Sequence, residues 1–164
     1  MKIDIRLVGP SNGSVLDRVA DGVFDHAIEP RWTAAFLADA RHHMFVAIDH
    51  GVVVGMITAV DYVHPDKAPQ LWINEVGVAP SHQRRGIARR LLDTMLAHGR
   101  TLGCTEAWLG TEDDNHAANA LYRSAGSKPE PFVLYSWKLQ TADSGEDGVT
   151  HPSPSPEDSP LTGS

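Results

Sequence analysis

Val76-Gly77-Val78-Ala79-Pro80-Ser81-His82-Gln83-Arg84-Arg85-Gly86-Ile87-Ala88 is the stretch on which the fold turns. The β-rich run Leu71–Ala79 predicts a strand, and Pro80 stops it. A short polar loop follows. Gly86 then opens a long helix predicted over Gly86–Leu102, with Ile87, Leu91, Leu92, Met95 and Leu96 on one face and Gly103 as its stop. The first N–H groups of a helix have no intrahelical acceptor, and the helix dipole adds positive potential there. Gly86 removes a side chain where a ligand would meet the backbone, and Ala88 keeps the next approach small. Arg84, Arg85 and Arg89 bring full charges to the same point. The stretch reads as a cradle for a pyrophosphate-sized anion. It lacks both the Lys-Ser/Thr ending of a phosphate loop and G-x-G-x-x-G, which disfavours nucleotide hydrolysis and dinucleotide redox chemistry.

Around this turn, strands and helices alternate. Ile3, Ile5 and Leu7 predict a first strand ended by Gly9-Pro10, and Ser14–Ala20 and Arg31–Ala40 read as helices. Met44–Ile48 and Val52–Val63 are β-rich runs flanking the hairpin signal Asp49-His50-Gly51. Thr105–Leu109 predicts a strand, and Asn115 can cap a helix over 116–124 that Gly126 ends. Pro131–Leu139 reads as a last strand. Hairpin strands followed by β-α-β-α-β imply an α/β protein with a mixed sheet and helices on its faces.

The chain of 164 residues is long enough for one domain with its own core. Its net charge of −7 is unevenly placed. Asp143, Glu146, Asp147, Glu157 and Asp158 lie in a Pro/Ser-rich stretch, 141–164, without Lys or Arg. That composition predicts a disordered acidic tail and leaves residues 1–140 as the folded domain, close to neutral. A near-neutral body argues against nucleic acid as a partner. Arg84, Arg85, Arg89 and Arg90 are concentrated within seven positions, which suits a small anionic ligand. Met1–Ile5 runs straight into a strand, with no signal peptide, and no apolar run reaches membrane-spanning length. The expectation is a cytoplasmic protein with no membrane partner. The single cysteine, Cys104, excludes an intramolecular disulfide and a multi-cysteine zinc site.

Gln83-Arg84-Arg85-Gly86-Ile87-Ala88 resembles the acyl-CoA pyrophosphate signature, Q/R-x-x-G-x-G/A, of the GNAT superfamily of N-acetyltransferases. The resemblance extends over residues 3–139 in the order of elements. It implies a mostly antiparallel sheet that splays between strands four and five, with the thioester of acetyl-CoA in the gap and no metal. The cofactor set it implies is Val76, Gly77, Val78, Gln83, Arg84, Arg85, Gly86, Ile87, Ala88 and Arg89, with Asn115 and Tyr122 from the later helix. A homodimer is expected from the resemblance alone.

Two further stretches bear on the acceptor. Leu71–Val78 resembles the acidic-residue strand of the aminoglycoside 3-N-acetyltransferases, with Glu75 where that family usually has Asp. Glu112-Asp113-Asp114-Asn115-His116-Ala117-Ala118-Asn119-Ala120-Leu121-Tyr122 resembles their acidic loop and helix, with Asn115-His116 where a proline commonly follows the acidic pair. Carboxylates lower the cost of bringing a polycation into a cleft. Glu75, Glu112, Asp113, Asp114 and Asp61 are therefore candidate substrate-binding residues, although Asp113 and Asp114 equally suit the start of the following helix.

An ammonium group must lose a proton before it attacks a thioester. Glu75 is the candidate base, and Tyr122 is the candidate acid for the departing thiolate by its match to the superfamily's tyrosine. The expected activity is acetyl transfer to an amine of a cationic small molecule, an aminoglycoside 3-amino group first. A protein N-terminus, polyamine or metabolite amine, or a non-catalytic acyl-CoA-binding role, are the alternatives. Cys104 reads as structural, adjacent His42 and His43 do not suit a metal pair, and Trp72, Trp108 and Trp137 read as core.

Overall fold

The computed structural model describes residues 3–139. The chain divides into two units, 1–129 and 130–164. In the first, β1 (Asp4–Val8), a 3-10 helix (Gly13–Asp17), α1 (Pro30–Ala38), β2 (His42–Asp49), β3 (Val52–Tyr62) and β4 (Gln70–Val78) lead to the turn. A 3-10 turn (Pro80–His82), α2 (Ile87–Thr101), β5 (Glu106–Trp108) and α3 (His116–Ser124) complete it. The sheet order is β1-β2-β3-β4-β5, antiparallel throughout except that β4 and β5 are parallel.

The sheet buries both faces. Against one face pack Ile87, Leu91, Leu92 and Met95 of α2, meeting Ile57, Ala59, Leu71 and Ile73. Against the other pack Leu16 and Val23 from the segment before α1, with Phe36 and Leu37 of α1. Helical spacing in α2 thus becomes a continuous stripe, as its pattern predicts. The hairpin between β2 and β3 turns through His50 (φ 48°) and Gly51 (φ 76°), and positive φ at both central residues gives the twist a tight hairpin needs.

The β3–β4 ladder shifts register between Thr58 and Ala59: Glu75 pairs with Thr58 and Ile73 with Ala59, leaving Asn74 as the extra residue. This β-bulge changes which side chains face α2. Leu71 and Ile73 lie in the α2-side core before it, and Val76 and Val78 pack on the same core after it. Glu75 and Gly77 are thereby turned away from α2, and their face meets the segment around Val23.

Two expectations are corrected. The helix read over Ser14–Ala20 is a 3-10 helix of five residues, and the chain then runs extended: the Val19–Val53 bridge and the bonds Ala20 N–H to Val53 carbonyl and Val53 N–H to Arg18 carbonyl hold it to β3. The last strand read over Pro131–Leu139 is not formed, because alternation supplies a face but a strand also needs a partner for its backbone, and the five-stranded sheet does not include this segment. Its Phe132, Leu134, Tyr135 and Trp137 are exposed. The tail expected over 141–164 lies outside the described residues. No helix among the described residues is long and apolar enough to cross a membrane.

Candidate active site

The turn after β4 presents unsatisfied backbone. Arg84 (φ 58°) and Gly86 (φ 76°) are both left-handed, so the chain doubles back before α2 begins. Gly86 is the N-cap, with no side-chain cap, and none of the N–H groups of residues 84–89 finds an acceptor among the described residues. A Cβ at Gly86 would meet open space, so glycine is favoured here by its φ of 76° and not by crowding. Three amides at the positive end of a 15-residue helix therefore face outward, beside the exposed Arg84 and Arg85. Arg89 departs from expectation: its guanidinium is held by Asp93 at 2.8 Å and donates to the Ser124 carbonyl at 2.8 Å, which ties α2 to the end of α3. His82 is likewise engaged. Its Nε2 lies 3.1 Å from the Asp49 carboxylate, fastening the turn to the β2–β3 hairpin.

Beside this turn the sheet opens. The β4–β5 ladder has three residue pairs and ends at Trp72 and Trp108, whose rings stack edge-on at 3.9 Å between centroids. Beyond that pair the strands part, as the splay implied. The gap holds a cavity of about 410 Å³, within the usual range for small-ligand sites. β4 lines it from Ile73 to Val78. Gln83 belongs to the anion turn, Leu109, Gly110 and Glu112 follow β5, and Asn115 and Tyr122 come from α3. Gly22, Val23 and Asp25, from the segment before α1, complete the lining. Ile87 is buried in the core, so its side chain faces the sheet and only its backbone belongs to the turn.

Glu75 is half-buried and takes no part in any ion pair among the described residues. Burial raises its proton affinity above that of an ordinary carboxylate; Asp25 raises it further, and His26 opposes both. Burial also raises the Tyr122 phenol, which keeps it protonated at neutral pH. The cavity thus joins a carboxylate made more basic to a phenol held as a donor.

Among the acidic residues, Glu112 lines the cavity, whereas Asp113 and Asp114 are exposed and do not. Asn119 fastens this loop: its Nδ2 donates to the carbonyls of Glu112 and Asn115, each at 3.0 Å, while Asn115 Oδ1 caps α3 by accepting from the Ala118 N–H at 3.2 Å. Asp61 lies elsewhere. Its carboxylate accepts from His43 Nε2 at 2.7 Å, and His98 Nε2 lies 3.1 Å from His43 Nδ1. No group of three or more His, Cys, Asp or Glu side chains among the described residues is placed to hold a metal ion. Burial, with Asp61 adding to it, pushes the Cys104 thiol up, away from nucleophilic use. Trp108 is about half exposed and Trp137 exposed, so neither is core.

Sequence reasoning missed Asp25, Gly22 and Asn119. Asn119 carried a local signal, standing four residues after a helix cap. Asp25 and Gly22 carried none, because they reach Glu75 only through the tertiary fold.

The chain matches the acetyltransferase (GNAT) family over residues 16–126. It is 35% identical over 118 residues to the N-alpha-acetyltransferase RimI of Mycobacterium tuberculosis, covering 70% of this chain and 72% of that protein. It is 27% identical over 95 residues to the aminoglycoside N(6')-acetyltransferase type 1 of Salmonella typhimurium, and the match spans 56% of this chain and 66% of that relative. In fold, it superposes on a crystal structure of an aminoglycoside acetyltransferase from an uncultured soil metagenomic sample with a TM-score of 0.74 at 19% identity, covering 84% of this chain and 97% of that one. With the bulged strand, the splayed gap and the uncapped helix start all in place, this chain belongs to the GNAT family of acetyltransferases.

Proposed function

We propose that the protein transfers the acetyl group of acetyl-CoA to an amine of a polycationic small molecule, an aminoglycoside being the substrate class. One observation carries this reading. A single cavity runs from Gln83 of the anion turn to three acidic residues, Asp25, Glu75 and Glu112, and no lysine or arginine among the described residues lines it.

The residues fit acetyl-CoA. Outward amides of the turn and Arg84 and Arg85 suit the pyrophosphate, and the β4 edge over Val76–Val78, free of β5, suits the amides of the pantetheine arm. Glu75, directly or through a water, takes the proton of the incoming ammonium. The amine nitrogen then attacks the thioester carbonyl, and a β4 N–H stabilises the tetrahedral oxyanion. On collapse the carbon–sulfur bond breaks, and Tyr122 donates its proton to the leaving thiolate. Much of the rate comes from holding amine and thioester together.

The test is a CoA-release assay over aminoglycosides including gentamicin and sisomicin, polyamines, and peptides with free N-termini, with product mass and NMR. Expected is turnover of aminoglycosides, with the product NMR deciding between the 6'-amino group for which the Salmonella relative is named and the 3-amino group expected from the acidic strand. Turnover of peptides alone would instead favour N-terminal acetylation, the reading that the RimI relative supports.

A further inference from the structure

The anion turn has no packing of its own. None of residues 80–86 is buried, so no apolar contact holds this stretch in shape. Its root is fixed: the Ala79 N–H donates to the Val54 carbonyl at 2.9 Å, which carries the end of β4 on β3. From there the chain leaves the sheet through the 3-10 turn Pro80–His82. Two residues further on, Arg84 is left-handed at φ 58° without being a glycine. Such a backbone persists only where its surroundings enforce it.

His82 supplies the second anchor. Its Nε2 lies 3.1 Å from the Asp49 carboxylate and its Nδ1 lies 2.9 Å from the Ser81 hydroxyl. Nε2–H donates to Asp49 and Nδ1 accepts from Ser81, so both ring nitrogens are engaged and the ring is fixed. Asp49 is the last residue of β2, and the exposed His50 lies 3.6 Å from its other oxygen. The side chains of His82 and Asp49 are only 17% and 11% exposed, unlike a solvated surface pair. The next residue, Gln83, lines the cavity and donates to the Val78 carbonyl at 3.3 Å. The turn is thus pinned to the β2–β3 hairpin immediately before its left-handed residues. A loop without such a pin is ordered by its ligand, and that ordering weakens binding.

We propose that His82, held by Asp49, is a positioning residue for acetyl-CoA. It keeps the turn in its binding conformation before the pyrophosphate arrives, and it touches no reacting atom. The proposal rests on the reading of the turn as the pyrophosphate site.

The experiment measures CoA affinity by calorimetry, and by NMR titration the affinity for pantetheine, which is CoA without its nucleotide and phosphates. His82→Ala and Asp49→Ala are each expected to weaken CoA by about tenfold, and the double variant by no more than either alone. Asp49→Asn still accepts from His82 and should stay within about threefold of wild type. Pantetheine affinity should stay within about twofold throughout, which general damage to the fold would not allow. If His82→Ala does not fold, His82→Gln with the same pair of ligands takes its place. Unchanged CoA affinity, additive losses, or equal losses for CoA and pantetheine would overturn the assignment. An Arg84→Ala/Arg85→Ala variant separates the two readings. If it weakens CoA about tenfold or more while the His82 variants do not, the positioning role alone is lost. If it leaves CoA affinity unchanged, the turn is not the pyrophosphate site and both readings are overturned.

Discussion

Glu75 and Tyr122 reach one cavity from different elements, and burial raises the proton affinity of both. A carboxylate with raised proton affinity accepts a proton more readily; a phenol with raised proton affinity keeps its own. Glu75→Gln is expected to lower kcat/KM by about a hundredfold or more while calorimetry shows acetyl-CoA binding retained. Tyr122→Phe is expected to lower kcat about tenfold or more with little change in the KM for acetyl-CoA. The Glu75 shift also has a stability consequence. Its folded-state proton affinity is raised, so the ionised side chain weakens the fold at neutral pH and the neutral form does not. Glu75→Gln should therefore unfold at a higher temperature than wild type at neutral pH, and the difference should vanish in acid, where Glu75 is protonated in both states. A melting curve at each pH checks this. An unchanged melting temperature at neutral pH would mean that Glu75 is well solvated.

The two devices that shape the site are a bulge in one strand and a left-handed cap on one helix. The bulge at Asn74 puts Glu75 on the face opposite α2, and a regular strand would have turned it into the α2-side core. The cap at Gly86 aims the first amides of α2 outward. Gly86→Ala places a side chain at φ 76°, which costs about 1–2 kcal/mol for an L-residue, with no clash to add to it. The variant is expected to fold, to melt lower than wild type, and to bind CoA more weakly by calorimetry. Unaltered CoA affinity would show that the turn does not hold the pyrophosphate. Gly77→Ala is a contrasting case, because its obstacle is the backbone oxygen of Val23. It should damage turnover of the amine, since the segment it displaces lines the cavity.

Away from the cavity, the fold is pinned by a cluster that sequence reasoning assigned in part to substrate. Asp61 of β3, the buried His43 of β2 and His98 of α2 form a hydrogen-bonded row, with Phe45 against the His98 ring at 5.4 Å and Cys104 nearby. Burial lowers the proton affinity of His98, His43 adds to the effect, and Asp61 opposes it. A histidine with a depressed folded-state pKa supports the fold while neutral. Its contribution is full above its ordinary 6.5 and is lost as pH falls through the lowered value. Denaturant unfolding followed from neutral pH downward should show stability falling over that window, and His98→Gln should flatten the fall. Asp61→Asn is expected to cost about 1–3 kcal/mol of stability and to leave kcat/KM for the amine nearly unchanged. A large loss of kcat/KM in a variant that still binds acetyl-CoA would return Asp61 to the acceptor site.

Local chemistry alone decided much. Helical spacing from Ile87 to Leu96, the Pro80 stop, the Gly86 opening and the Asn115 cap each depend on residues within a turn or two of one another, and each was legible as such. The anion turn is legible for the same reason: strand end, loop and helix start are contiguous. Tertiary structure decided the rest. Whether Asp61 meets substrate or His43 depends on a partner 18 residues away. Whether Arg89 is a free charge depends on Ser124, 35 residues on. The segment at 131–139 had the alternation of a strand and no partner within the five-stranded sheet. Asp25 became part of the site only because Gly77, far along the chain, lacks a side chain. A pattern of neighbours can specify an element and a helix terminus, but which charged groups share a cavity is set by long-range packing, and no periodicity in the chain encodes it.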